Sequence, residues 1–467
     1  MKTAFSIAEE LIGGPKSTVH LMGVAGVGMA GLAAHLHWLG FGVSGCDLKS
    51  NYLTEWLNGI GIATQLGHSP RHISAQTTCL IRSTAVPDDH PEVLEARSMG
   101  AEVLRRGEVL AALVGSRPAV AVAGSHGKTS TSAMLAQALR SAGVDAGFFV
   151  GAFVDALGGV AGPGSDVFVA EADESDGTLA GYRPEYSIIT NAEIDHLEHH
   201  GGPQQLWDCF GRVVSQTKSF VVANCDDERV GDIVSSRAKR VISYGFADRS
   251  DVRGSDFEQN RNGSVFNVVC PDRASVRLSL PVCGLHNAYN ALAVCAFGIN
   301  FGLDLEIIAA GLRNHGSARR RFEHVCQLHG ADIYLDYAHH PTEIRALLQS
   351  IRAFGERRVI AAFQPHRYTR TLSLGSDFPA SFEGVDQLVI APIFAASEAP
   401  LPGGTAEDLH HHFGRAGFGE VELADDLESV WATLKKWMRE GDIVLIVGAG
   451  DVEIIAQWSR SEATKTM

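Results

Sequence analysis

The stretch Ala119-Val120-Ala121-Val122-Ala123-Gly124-Ser125-His126-Gly127-Lys128-Thr129-Ser130 decides how this chain is read. The apolar run predicts a buried strand, the two glycines a tight loop, and Thr131 to Leu139 a helix. Such a junction turns the backbone N–H groups of Gly124, Ser125, His126 and Gly127 toward one point. Lys128 then adds a charge within reach of a terminal phosphate, and the Thr129 hydroxyl is a ligand type suited to Mg2+. The usual spacing of these loops would put a first glycine at Val122, so the match is to a shorter variant. An ordinary turn with a surface lysine is the competing reading. The Gly-Lys-Thr order in its strand-to-helix setting favours ATP over it.

At 467 residues the chain is long enough for about three domains. Its 45% apolar and 20% charged residues suit cores that fold unaided. A net charge of −15 argues against nucleic-acid and membrane-surface partners, which need broad basic patches. Eight cysteines without a C-x-x-C pair suggest reduced buried thiols rather than a disulfide framework or a structural zinc site. The stretch from Met1 to Gly14 has Glu9 and Glu10 and no basic start, and no apolar run spans a bilayer. These features predict a cytoplasmic enzyme with small-molecule substrates, a monomer or weak homodimer.

Outward from the loop, the chain reads as three α/β segments with boundaries at 1–113, 114–317 and 318–467. The first opens with a strand Thr18 to Met22, the turn Gly23-Val24-Ala25-Gly26-Val27-Gly28, a helix Met29 to Leu39 and a strand Val43 to Asp47. Such a βαβ unit lets backbone approach a pyrophosphate and offers Asp47 to ribose hydroxyls, although the spacing is not G-x-G-x-x-G. Strands at 78–83 and 102–105 continue a parallel rhythm. In the second segment, strands 166–170 and 186–190 lead into Glu171-Ala172-Asp173-Glu174-Ser175-Asp176 and Asn191-Ala192-Glu193-Ile194-Asp195-His196. Residues 251–281 alternate as antiparallel strands, with a hairpin turn at Asn262-Gly263. Strands at 333–336, 358–363, 387–390 and 443–447 make the last segment another α/β sheet, and Gly448 to Gly450 a strand-to-helix turn.

Thr129, Glu171 and His196 offer hard oxygen and imidazole ligands around phosphates, a sparse set of the kind Mg2+ takes together with waters and phosphate oxygens; the bland alternative is a set of helix-capping acids and a core histidine. Asn287 or Asn290 is able to read an adenine edge, or merely to cap a helix. The run Arg319-Arg320-Arg321 reads either as a solvated linker or as a source of an arginine for the γ-phosphate. The loops Asp336 to Glu343 and Gln364 to Arg370 bear the histidines and arginines of a carboxylate clamp. His410-His411-His412 reads as a solvated loop.

In this order, Gly23 to Met29, Arg105-Arg106-Gly107-Glu108, Ala123 to Ser130, Glu171 to Asp176, Asn191 to His196, His286-Asn287-Ala288-Tyr289-Asn290, Arg320 to Glu323, Asp336 to Glu343, Gln364 to Arg370 and Ser397 to Pro400 resemble the Mur ligase family over nearly the whole chain. The resemblance implies an N-terminal Rossmann-like UDP-binding domain, a central P-loop-type ATPase with a mixed sheet and a C-terminal Rossmann-like domain for the amino acid. It further implies that the lactyl carboxylate of UDP-N-acetylmuramate is phosphorylated by ATP and captured by L-alanine, for peptidoglycan precursor synthesis. By the same resemblance, Gly23, Ala25, Gly26, Val27, Gly28, Met29, Asp47, Ser83, Thr84 and Arg106 take the UDP-sugar. Gly124, Ser125, His126, Gly127, Lys128, Thr129, Ser130, His286, Asn287, Asn290, Arg321 and Asp336 take ATP. Thr129, Glu171 and His196 bind Mg2+, while His339, His366, Arg367 and Arg370 face the amino acid. Lys128, Glu171, His196, His339 and Arg370 carry the chemistry. Ala25, Thr84 and Leu335 depart from the family pattern. A sibling ligase that adds a recycled peptide, a folate-type or cyanophycin-type ligase and an inactive nucleotide-binding regulator are the competing functions.

Overall fold

A computed structural model describes residues 2–174, 177–194, 201–271 and 273–466. These residues fold into an α/β protein with three sheets. The first sheet has β1 Thr18–Met22, β2 Gly42–Asp47, β3 Ala63–Leu66, β4 Thr77–Arg82 and β5 Glu102–Arg105, in the parallel order β3-β2-β1-β4-β5. The strand order reverses at β1, so the glycine turn after Met22 opens at the sheet's switch point.

The second sheet comprises β6 Ala119–Ala123, β7 Ala146–Val154, β8 Gly159–Gly162, β9 Val167–Glu171, β10 Tyr186–Ile189, β11 Phe220–Asn224, β12 Val241–Gly245, β13 Val252–Asn260, β14 Gly263–Val269 and β15 Val276–Leu280. Its order, β15-β14-β13-β12-β11-β10-β6-β9-β7-β8, buries β6 between β10 and β9, both parallel to it. Every residue of β6 is 0% exposed, which is why its run is continuously apolar rather than alternating. β8 closes the edge antiparallel to β7, so the sheet is mixed. In the 251–281 region the turn falls at Arg261–Asn262, one residue before the expected pair, because Gly263 already begins β14 with φ 137°.

The third sheet has β16 Glu323–Leu328, β17 Ala331–Asp336, β18 Val359–Phe363, β19 Gln387–Ile390, β20 Glu420–Leu423 and β21 Ile443–Val447, in the order β16-β17-β21-β18-β19-β20. Only β16 runs antiparallel, against β17; apolar clusters built around Trp431 and Ile455 and around Phe363 and Phe413 cover the sheet.

The chain divides into two compact units, Met1–Glu258 with Val265–Pro281 and Asn287–Ala318, and Gln259–Ser264 with Val282–His286 and Arg319–Met467. In the first, the helix Val27–Trp38 packs on β7 and β8; a Cβ on Gly31 would sit 2.8 Å from the Phe149 ring. Buried His35 on this helix donates through Nε2 to the Phe148 carbonyl at 2.8 Å, and burial lowers its pKa to about 4.

One expectation needs correction, and one pair of alternatives narrows. His410 to His412 lie in the helix Ala406–Arg415 and not in a loop. Thr405 and Asp408 form a capping box, and Leu409 and Phe413 are buried on one face, so the helix is fixed regardless of the histidines. Of the two readings of the run Arg319 to Arg321, the solvated linker does not hold. Arg320 donates to the Gly448 and Gly450 carbonyls and pairs with Glu453 at 3.0 Å, fastening the start of β16 to the turn after β21.

Candidate functional site

The loop from Gly124 to Thr129 leaves the carboxyl end of β6, beside the ends of β10 and β9. Gly124 has φ 133°, and a Cβ there would lie 2.9 Å from the Asn191 carbonyl oxygen. Gly127 has φ 80° and acts as the N-cap, so the helix Lys128–Ser141 starts three residues before the expected Thr131. The segment after β10 holds the loop in place. The Asn191 side chain accepts from His126 N–H at 2.8 Å and donates to the His126 carbonyl at 3.0 Å, and Thr190 donates to the same carbonyl at 2.7 Å. Ser125 donates to the Glu193 carbonyl, and the His126 ring meets the Glu193 carboxylate at 2.8 Å.

Lys128 bends back over this loop. Its ammonium donates to the carbonyls of Gly124 and Ser125 at 2.6 and 3.1 Å and to both oxygens of Glu174 at 2.9 Å. Desolvation opposes the charge, yet Glu174, Asp173 and Glu171 together hold the lysine above its ordinary pKa. Glu174, 1% exposed, was legible only as a member of an acidic run; its burial beside a lysine is what marks it. Thr129 donates to Glu171 Oε1 at 3.0 Å, while Gly151 N–H holds Oε2 at 2.6 Å. Two hard oxygens sharing an octahedral Mg2+ at 2.0–2.1 Å stand about 2.9 Å apart, so this pair fits that ion. His196, with Ser175, Asp176 and Asp195, lies outside the described residues.

Asn290, 6% exposed, presents Oδ1 where a Cβ on Gly127 would be 2.7 Å away, so it sits directly on the loop, and its Nδ2 donates to Asn287 Oδ1 at 3.4 Å. Their helix, Leu285–Asn300, is anchored by Tyr289, whose hydroxyl donates to Asp226 at 2.8 Å; Asp226 was not singled out in the sequence.

At the first sheet, Gly23 has φ 95° and Ser83 Cβ fills the space beside it, while Arg106 packs on Gly28 and reaches Asp173 at 3.5 Å. Both Asp47 oxygens accept backbone N–H groups, from Ala25 at 2.9 Å and Lys49 at 3.1 Å, so this acid closes the turn rather than simply awaiting a ribose. Asn51, unflagged in the sequence, braces the turn by donating to the Ala25 carbonyl at 2.9 Å. Met29 is buried under Gly23; Ser83 is half-buried and Thr84 exposed.

In the second unit, His339, His366, Arg367 and Arg370 gather at the ends of β17 and β18. The His339 and His366 rings are 5.6 Å apart, His366 stacks on Phe394, and buried Arg370 holds His366 Nδ1 at 3.1 Å. Arg367, with φ 70°, lies 3.7 Å from Glu398, which also accepts from Thr369. Glu398 belongs to the quoted Ser397 to Pro400 motif but was not named as a site residue. His339 Nδ1 faces two acceptors, the Tyr337 carbonyl at 3.0 Å and Glu343 at 3.3 Å, so that nitrogen carries its proton. Asp336 accepts from Phe322 and Ala338 N–H, both at 2.7 Å, and desolvation lifts its carboxyl to about 6 against the pull of Arg321. Arg321 lies over the Tyr337 ring, and His286 is exposed at the start of its helix.

Known proteins share this arrangement. Residues 18–117 match the model of the Mur ligase family catalytic domain, 122–298 the Mur ligase middle domain and 320–450 the Mur ligase, glutamate ligase domain. The chain is 38% identical over 440 residues to a UDP-N-acetylmuramate–L-alanine ligase of Anaeromyxobacter dehalogenans, covering 94% of this chain and 96% of that one. It is 36% identical over 444 residues to the enzyme of that name from Rhodospirillum centenum, covering 93% and 92%. The crystal structure of a UDP-N-acetylmuramate-alanine ligase from Thermotoga maritima superimposes with a TM-score of 0.83 at 26% identity, covering 97% of this chain and 100% of that one. Sequence motifs, strand-end geometry and full-length likeness thus converge, and the chain belongs to the Mur ligase family.

Proposed function

We propose that this chain is an ATP-dependent ligase that joins L-alanine to the lactyl carboxylate of UDP-N-acetylmuramate, in peptidoglycan precursor synthesis. The observation that carries the reading is Lys128 paired with buried Glu174 beside the Thr129 and Glu171 oxygens, at the carboxyl ends of adjacent parallel strands. A carboxylate is a poor electrophile because its charge is shared by both oxygens. Transfer of the γ-phosphoryl group to one oxygen, with ADP leaving, turns that oxygen into part of a phosphate leaving group. The alanine amine then attacks the carbon: a C–N bond forms, the C–O bond to phosphate breaks, and the amine loses a proton. Catalysis is mainly positioning and charge neutralisation.

In this reading Lys128 exchanges Glu174 contacts for the γ-phosphate, and the loop N–H groups hold the other phosphates. Thr129, Glu171 and His196 would hold Mg2+, which supplies positive charge to the phosphate oxygens. Asn287, Asn290, Arg321 and Asp336 are assigned to the rest of ATP. We assign the turn from Gly23 to Met29, with Ser83, Thr84 and Arg106, to UDP-N-acetylmuramate, and residues 1–113, 114–317 and 318–467 to the three domain roles. Arg370 and Arg367 take the alanine carboxylate, and His339 and His366 its amine end. No helix among the described residues is long and apolar enough to cross a membrane, and we place the enzyme in the cytoplasm as a monomer or weak homodimer. The test is ADP release with UDP-N-acetylmuramate and each amino acid in turn. L-alanine should support turnover; preference for a tripeptide would move the chain to the peptide-adding sibling.

A further inference from the structure

One cluster of the first sheet takes no part in the assignment above. His20 on β1, Cys46 on β2 and Glu92 in the first turn of the helix Pro91–Ser98 are each 0% exposed, and His72 closes the group from the connection after β3. Their donor atoms all lie within 4.8 Å of one another. His20 Nε2 is 3.0 Å and His72 Nδ1 3.1 Å from Glu92 Oε1, while Cys46 Sγ is 3.3 Å from His20 Nε2 and 3.5 Å from Glu92 Oε1. His68 Nδ1 stands at the rim, 3.1 Å from the same sulfur.

Nitrogen and oxygen ligands about 2.0–2.1 Å from a tetrahedral ion, and sulfur about 2.3 Å from it, are separated from one another by about 3.3–3.6 Å. Four of the cluster's six edges, at 3.0–3.5 Å, therefore come within a few tenths of an ångström of those of a coordination tetrahedron, and the other two are no longer than 4.8 Å. The outer partners are also set. His20 Nδ1 meets Ser44 Oγ at 2.8 Å, which orients the ring and directs Nε2 inward, and Ser69 N–H donates to Glu92 Oε2 at 3.1 Å. The wholly buried Glu92 carboxylate faces two imidazoles and a thiol, and a divalent ion held among them would add countercharge to those hydrogen bonds.

We propose that His20, Cys46, His72 and Glu92 bind a divalent transition metal of the zinc class, separate from the magnesium ligands of the ATP site. Mixed nitrogen, sulfur and oxygen donors exclude magnesium and calcium, which take oxygen ligands. Four protein donors leave no open position, so the site is structural. Binding releases the Cys46 proton to solvent and ties β1, β2, the connection after β3 and the helix Pro91–Ser98 together. It also stiffens the nucleotide-sugar turn, because the Cys46 carbonyl accepts from Gly23 N–H at 2.8 Å.

The experiment is Co2+ titration of the full chain, followed by absorption, in excess Mg2+. Stoichiometric binding with tetrahedral ligand-field bands and a thiolate-to-cobalt charge-transfer band is expected. Zn2+ should displace the cobalt. Cys46→Ser should abolish the charge-transfer band, and His72→Asn should weaken Co2+ binding about tenfold or more with circular dichroism unchanged. Wild-type protein that takes up no Co2+, or a cobalt spectrum without the thiolate band, overturns the proposal; neither outcome bears on ligase activity.

Discussion

The Lys128–Glu174 pair invites a double-mutant cycle that separates what the lysine does for the fold from what it does for ATP. Their side chains are 12% and 1% exposed, and the ammonium donates to both Glu174 oxygens at 2.9 Å. Removing one partner of such a pair costs about 3–5 kcal/mol, because the other is left buried without its countercharge, whereas removing both is often close to neutral. Glu174→Gln and Lys128→Met should thus each destabilise the chain by about 3 kcal/mol, and the double variant by no more than either, a coupling of about 3 kcal/mol. Thermal unfolding should register each single change as a drop of several degrees. The Lys128→Met variant has a further signature. Its Glu174 carboxyl stays buried without the Lys128 charge, which raises its folded-state pKa, so it binds a proton more readily than in the unfolded chain and the deficit shrinks as pH falls. Turnover should behave differently: Lys128→Met and the double variant should both lose on the order of a hundredfold or more, since a charge at the γ-phosphate is absent from both. Additive destabilisation, with coupling under about 0.5 kcal/mol, would refute the claim that the pair is held together by burial.

Glu171→Gln should raise the Mg2+ concentration needed for half-maximal turnover, with excess Mg2+ restoring part of the rate; an unshifted Mg2+ dependence would return Glu171 to packing. Arg370→Ala should raise the KM for L-alanine far more than that for ATP, because a carboxylate clamp is lost and no phosphate contact is. Gly127→Ala should weaken ATP binding while sparing UDP-sugar binding in calorimetry, since φ 80° is strained for alanine and the new methyl meets Asn290. His35, held down to about 4 by burial, binds fewer protons folded than unfolded, so its contribution of about 3 kcal/mol is complete above about pH 6.5 and lost as pH falls toward 4. His35→Gln, which keeps a donor for the Phe148 carbonyl, should flatten the unfolding temperature across that window.

What the sequence discloses here is local. Strand β6, the loop and the helix after it are contiguous, and their physics, apolar run, positive-φ glycine and cap, is written in adjacent residues. The edge strand β3, Ala63-Thr64-Gln65-Leu66, has no such signature, because three of its four residues are exposed and no core face imposes alternation. β7 escaped notice for another reason: Gly147 and Gly151 interrupt its pattern, yet both are demanded by close neighbours, the backbone at Gly164 and the Glu171 carboxylate. The arginine run stayed ambiguous because composition alone could not place it. Charged residues in sequence read as solvated, but Arg320 finds two carbonyls and a carboxylate that belong to residues more than a hundred positions away.

The partners of the phosphate loop are illegible for a related reason, and the reason is topological. Between β6 and β9 the chain makes β7 and β8, yet β6 pairs with β9 in a register that sets Val122 opposite Glu171 and carries Glu174 to Lys128. On the other side β10 sets Ile189 opposite Ala123, which delivers Thr190 and Asn191 to the His126 carbonyl and N–H, and Glu193 to the Ser125 and His126 side chains. An acid forty-six residues from its lysine carries no sign of that pairing in its own neighbourhood. It becomes a prediction only once the strand order is known, because right-handed parallel crossovers then leave one end of the sheet at which consecutive strand ends meet. The loop's glycines and lysine are legible from adjacent residues; only the sheet order states which carboxylate meets the lysine.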